Sequence, residues 1–169
     1  MSQFDEYTGT RPVAETHRFD VQALAIYLKD RNEGFDADPA ALRVEQFSGG
    51  QSNPTFRLSS GGHRYVLRRK PPGTLLPSAH AIEREFAVMR GLACTDVPVA
   101  KMYALCEDES VIGRAFYVME FVPGRVLWDQ TLPGMSKAER AAIYDEMNRV
   151  IAALHTVDVT AQGLENYGK

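Results

Sequence analysis

An α+β fold is predicted, with a five-stranded, mainly antiparallel sheet and one helix laid across it. Three observations predict it. Short alternating segments sit on either side of one helical stripe, in the order strand, strand, strand, helix, strand, strand. Breaker-rich turns separate those segments. A long, capped helical pattern follows the last of them.

The elements can be justified in chain order. Residues 1–17 are polar and punctuated by Pro and Gly, and read as a loose tail. Asp20 is placed to cap a helix whose apolar positions are Val21, Leu24, Ala25 and Leu28, with a stop near Asn32–Gly34, where Gly34 can turn left-handed. Leu42–Phe47 alternates apolar and polar as a half-buried strand does. The run Ser48-Gly49-Gly50-Gln51-Ser52-Asn53 is a loop. Thr55–Ser59 is a second strand, Gly61-Gly62 a tight turn, and Arg64–Lys70 a third strand halted by Pro71-Pro72-Gly73. A helix is expected from about Ser78 to Leu92, because Ile82, Phe86 and Met89 make one stripe. Strands over Ala100–Cys106 and Ala115–Val122 complete the sheet, which ends at Pro123-Gly124. Ser136-x-x-Glu139 is a capping box, and Ile143, Met147, Val150, Ile151 and Leu154 keep helical spacing to His155. Beyond it the chain is polar to Lys169 and is expected to stop mid-domain.

Composition narrows the function classes. The 169 residues carry 19 Lys and Arg against 22 Asp and Glu, a net charge of −3, which gives no basic stripe for nucleic acid. Hydrophobic residues make up 44% of the chain, so a folded core is expected rather than disorder. No apolar run is long enough for a bilayer, and residues 1–20 lack the apolar core of a secretory signal. Cys94 and Cys106 are too few for a disulfide framework, so reduced thiols and a cytoplasmic location are expected. No zinc-type ligand spacing occurs.

The segments FSGGQSNPTFRL (47–58), YVLRRKPPG (65–73), IEREFAVMRGL (82–92), DVPVAKMYALCED (96–108) and FYVMEFVPG (116–124) resemble the aminoglycoside phosphotransferase and choline kinase branch of the kinase-like fold, as does the LH of ALHTVD (153–158). YVLRRKPPG is most similar to the phosphotransferase domains attached to some acyl-CoA dehydrogenases. The likeness runs from about residue 20 to 169 but reaches only the first half of the family's domain. It implies a division into a tail and helix (1–41), a kinase-like N-lobe (42–122), and a hinge exit with the start of an incomplete helical lobe (123–169).

The resemblance also implies a nucleotide site. Ser48, Gly49, Gly50, Gln51, Ser52 and Asn53 would cover phosphates with backbone N–H groups, although a plain hairpin turn fits the same residues. Arg68 stands where most kinases have a phosphate-gripping Lys. Strand alternation puts Val66, Arg68 and Lys70 on one face, so Val66 can lie against adenine and Arg68 against phosphate, with Lys70 as the competing cation. Glu85, on the edge of the helical stripe, is the implied partner of Arg68, while Glu83 is expected to face solvent; two wet glutamates is the alternative. Met119, Glu120 and Val122 would form the hinge, with the Glu120 carbonyl and Val122 N–H on the adenine edge. Trp128 is open between a cleft-mouth residue and a core plug. His155 reads as a helix-end histidine, not as part of a catalytic loop.

The family's catalytic loop, H-G-D-x-x-x-x-N, has no counterpart here. ATP is the implied cofactor, with Mg²⁺ expected only alongside the missing lobe. The leading expectation is the N-terminal, nucleotide-binding part of an ATP-dependent phosphotransferase acting on a hydroxyl of a small metabolite or antibiotic. The alternative is a truncated nucleotide-binding or docking module without turnover, which would associate with itself or with a missing lobe through the stripe of helix 136–155.

Overall fold

The structure is a computed structural model that describes residues 8–32, 34–36, 38–49, 52–74, 76 and 80–167. Its centre is an antiparallel sheet in the order β1-β2-β3-β4-β6-β5. The strands are β1 (Thr10–Arg11), β2 (Arg43–Phe47), β3 (Thr55–Ser60), β4 (His63–Arg69), β5 (Met102–Cys106) and β6 (Phe116–Glu120). Helices α1 (Val21–Leu28), α2 (Ile82–Leu92) and α3 (Lys137–His155) complete the fold.

The expected α+β class and the five main strands are present. The sixth strand corrects the reading of residues 1–17 as a loose tail over residues 8–17, residues 1–7 lying outside the described residues. Thr10 and Arg11 pair with Phe47 and Gln46, and Glu15–His17 forms a 3-10 turn. Polar side chains hold this segment: Thr10 Oγ1 donates to Glu45 Oε1 at 2.9 Å, and Gln46 Oε1 accepts from Ala14 N at 3.1 Å. Such bonds leave no apolar pattern to read.

The alternation of side chains along the strands builds two cores. On one face Phe56, Leu58, Tyr65, Leu67, Phe116 and Val118 pack under Leu24, Ala25 and Leu28 of α1. Asp20 caps that helix by accepting from Gln22 N and Ala23 N. Its regular part stops at Leu28, earlier than expected, and tighter turns carry the chain to Asn32. On the opposite face Ile82 and Phe86 of α2 pack on Ala115 and Tyr117, with Met89, Met102 and Met119 alongside. Helix α2 begins at Ile82, after His80, whose φ of 58° is left-handed. The expected start near Ser78 lies outside the described residues.

Helix α3 starts with the anticipated capping box, in which Ser136 and Glu139 serve each other's backbone N–H groups. None of its residues is buried, and Tyr144, Met147, Ile151 and Leu154 stand about half exposed. The polar segment after it folds back on α2: Leu164 lies against Gly91, and Tyr167 donates to Arg84 O at 2.7 Å. No helix among the described residues is long and apolar enough to cross a membrane.

Candidate nucleotide site

Register assembles the site on the α2 face of the sheet. Thr55 of β3, Arg68 of β4 and Tyr117 of β6 form one cross-strand row, and Arg57, Val66 and Met119 form the next. One row is therefore polar and the other presents Val66 and Met119 as an apolar strip. Arg57 is taken up by Glu45, whose carboxyl is held below the usual range by hydrogen bonds from Arg57 and then Thr10.

Glu85 closes the polar row from above. Ile82 and Phe86 bury themselves in the sheet, which fixes the rotation of α2 and aims Glu85 at Arg68. Arg68 Nε lies 2.9 Å from Glu85 Oε2, an ion pair whose approach is not aligned as a hydrogen bond. Tyr117 donates its hydroxyl to the same oxygen at 2.9 Å, and Asn53 Nδ2 donates to Oε1 at 3.1 Å. Both carboxylate oxygens are thus committed. The phenol of Tyr117 is pushed well above its ordinary range by burial first and by the Glu85 charge second. The Arg68 side chain is still 32% exposed, although its Nε is buried against Glu85.

Glu83 does not face solvent alone, as sequence had indicated: Lys70 Nζ reaches its carboxylate at 3.0 Å. Burial opposes ionisation of Glu83, but its own backbone N–H and Lys70 outweigh this and keep the carboxyl below its usual range. Lys70 follows the last strand residue, and its flexible stem allows it to reach a carboxylate off the buried stripe. Two bridges, Arg68–Glu85 and Lys70–Glu83, therefore join the end of β4 to the first turns of α2.

The other anticipated positions divide. Ser48 donates its N–H to Gly9 O at 3.2 Å, and that group serves the N-terminal segment. Gly49 is partly buried and Ser52 exposed, while Gly50 and Gln51 lie outside the described residues. Asn53 is 3% exposed, with its side chain directed to Glu85 and His80 rather than to open space. At the other end of the site, Glu120 closes β6 with its N–H on Lys101 O at 2.8 Å. Val122 stands two residues past the strand and is largely exposed, and Trp128 is also exposed. His155 is exposed at the end of α3, Cys94 is an exposed thiol and Cys106 a buried one. Sequence reasoning missed Tyr117 and His80. The cross-strand position of Tyr117 beside Arg68 was the available signal, whereas His80 had none.

An arginine–glutamate pair between β4 and the helix crossing the sheet, beside an apolar strip, defines the kinase-like class of lobe. The comparisons place the chain within it. The model of the phosphotransferase enzyme family matches residues 43–169, and the chain belongs to that family. A Ralstonia eutropha JMP134 chain assigned as an aminoglycoside phosphotransferase superposes with a TM-score of 0.77 at 66% identity, over 90% of this chain and 43% of that one. The Arabidopsis thaliana protein named Probable acyl-CoA dehydrogenase IBR3 is 49% identical over 93% of this chain and 20% of its own. Mouse acyl-CoA dehydrogenase family member 11 is 48% identical over 97% of this chain and 21% of its own. The chain thus spans about a fifth of the length of the curated relatives it matches. Their names agree with the resemblance to the dehydrogenase-linked subgroup.

Proposed function

We propose that this chain is the nucleotide-binding part of an ATP-dependent phosphotransferase that phosphorylates a hydroxyl of a small molecule. The observation that carries the reading is the Arg68–Glu85 pair, with Arg68 partly open and both oxygens of Glu85 already held. Transfer of a phosphoryl group depends on positioning and charge neutralisation more than on covalent chemistry, so a preset cation is the relevant asset.

The donor set fits a nucleotide. Val66 and Met119 offer apolar contact one row from Arg68, roughly 7 Å along the strand, so a base and its phosphates can lie on neighbouring rows. ATP supplies the transferable phosphoryl group when bound. Arg68 binds phosphate oxygens as a permanent cation, and Glu85 keeps that guanidinium from swinging into solvent. The backbone at Glu120 and Val122 reads the adenine edge. Among the described residues no group of His, Cys, Asp or Glu gathers as metal ligands. The acceptor is a hydroxylated metabolite in preference to an antibiotic, a reading supported by the dehydrogenase-linked relatives.

Calorimetric titration of ADP into the chain and into Arg68→Ala tests this. Measurable binding that falls at least about tenfold in the variant is expected, the loss of one charge-assisted contact. Equal affinity in both would refute the assignment.

A further inference from the structure

Asn53 sits at the junction of the glycine-rich loop and β3, and both ends of its amide are used. Nδ2 donates to Glu85 Oε1 at 3.1 Å, and Oδ1 lies 2.9 Å from His80 Nδ1. A carboxylate only accepts hydrogen bonds, so the NH₂ end must face Glu85. The carbonyl end then faces His80, and a carbonyl only accepts. His80 Nδ1 must therefore carry a hydrogen, which in the neutral ring leaves Nε2 with the lone pair. The direction of the whole chain His80→Asn53→Glu85 follows from the charge of its last member.

We propose that Asn53 is a positioning residue for the Arg68–Glu85 pair and that the same amide sets His80 in its Nδ1–H form, so that loop, ion pair and histidine behave as one unit. The proposal rests on the nucleotide reading for its functional half only. Three features support it. Asn53 is almost wholly buried, where an unpaired amide is costly, and it is satisfied at both ends. Thr55 Oγ1 donates to Asn53 O at 3.1 Å, which holds the backbone from which the amide projects. His80 adopts a left-handed φ of 58°, uncommon for a residue with a Cβ, one residue before the Ala81 cap of α2. An amide that grips both His80 and Glu85 ties the entry of α2 to the loop beside it. The groups around Glu85 are Arg68, Tyr117 and Asn53, and of these only Asn53 belongs to the loop.

Nitrogen-resolved NMR of the histidine rings, with His80 identified among the 4 histidines by His80→Gln, reads the tautomer without any ligand. The expected result is an Nδ1–H ring at His80 that reverts toward Nε2–H in Asn53→Leu. Glu85→Gln should also blur the preference, because an amide at that position no longer dictates which way Asn53 faces; this second variant opens no cavity. ADP affinity should fall about tenfold in Asn53→Leu, as for a lost hydrogen bond to a charged group. A role in folding alone would lower the melting temperature and leave the tautomer and the affinity of the folded fraction as they were. An Nε2–H ring in the unaltered protein overturns the proposal. So does undiminished ADP affinity in Asn53→Leu when Arg68→Ala has lost it, and that result leaves the nucleotide reading standing. Failure of ADP to bind the unaltered protein removes the nucleotide reading and the positioning role together, and the histidine spectrum still decides the amide's direction.

Discussion

Glu85 receives Arg68 and Tyr117 on one oxygen and Asn53 on the other, so removing any one donor leaves a partly buried carboxylate short of a partner. Tyr117→Phe keeps the ring in its core position and deletes only the hydroxyl. It should lower the unfolding free energy by about 1–2 kcal/mol in urea titration. Arg68→Lys is expected to bind ADP more weakly than the parent but better than Arg68→Ala, because the charge stays while the planar fork is lost. The phenols of Tyr117 and Tyr27 make a separate prediction at alkaline pH. Tyr117 is raised by burial and Glu85, and Tyr27 is raised to about 12 by burial and Cys106. In the unfolded chain both ionise near ~10. Their stabilisation is complete below that value and is lost as pH rises toward the folded values, so the urea midpoint should drop from pH ~10 upward. Tyr27→Phe should make that drop shallower.

At the scale of elements, one carboxylate ties the Thr10 side chain of β1 to the sheet. Glu45 takes Thr10 from the neighbouring strand and Arg57 on its other side, and because these partners favour its ionised form its contribution is present above the ordinary carboxyl range. That contribution is lost as pH falls through the lower folded value. Amide exchange along β1 should therefore accelerate on acidification before the β3–β4 ladder loosens. This short strand also illustrates what sequence could and could not disclose. The main strands and α3 were legible because an apolar rhythm or a capping box generates them. So was the Arg68–Glu85 pair, through strand alternation and family likeness. β1 was not, since it is held by polar side chains from a distant segment. The Lys70–Glu83 bridge was hidden because it depends on how far a flexible stem reaches. The inward use of Asn53 was hidden because it depends on His80 turning left-handed before α2.

For the whole molecule, the residue next to Arg68 matters as much as Arg68. Arg69 is 3% exposed on the opposite face, where it donates to His17 O at 3.1 Å and Ile112 O at 3.4 Å and stands over the rings of Phe19 and Phe56. Burial first, and then Arg114, lower its hold on the proton. It fastens the N-terminal segment and the loop before β6 to the sheet. Arg69→Met should cost about 2 kcal/mol of stability, the net loss of two charge-assisted bonds, and leave ADP affinity unaltered. Two consecutive arginines thus serve opposite sides of β4, one paired with Glu85 of α2 and one buried in the core. Dropping or adding a single residue in the 61–62 hairpin, if the strand slid to compensate, would exchange the two sides at a stroke. The α1-side core would receive Val66 and Arg68 in place of Tyr65 and Leu67, and the bulk of those two would pass to the opposite face. Natural variation in length is therefore expected elsewhere, with this hairpin keeping a constant count.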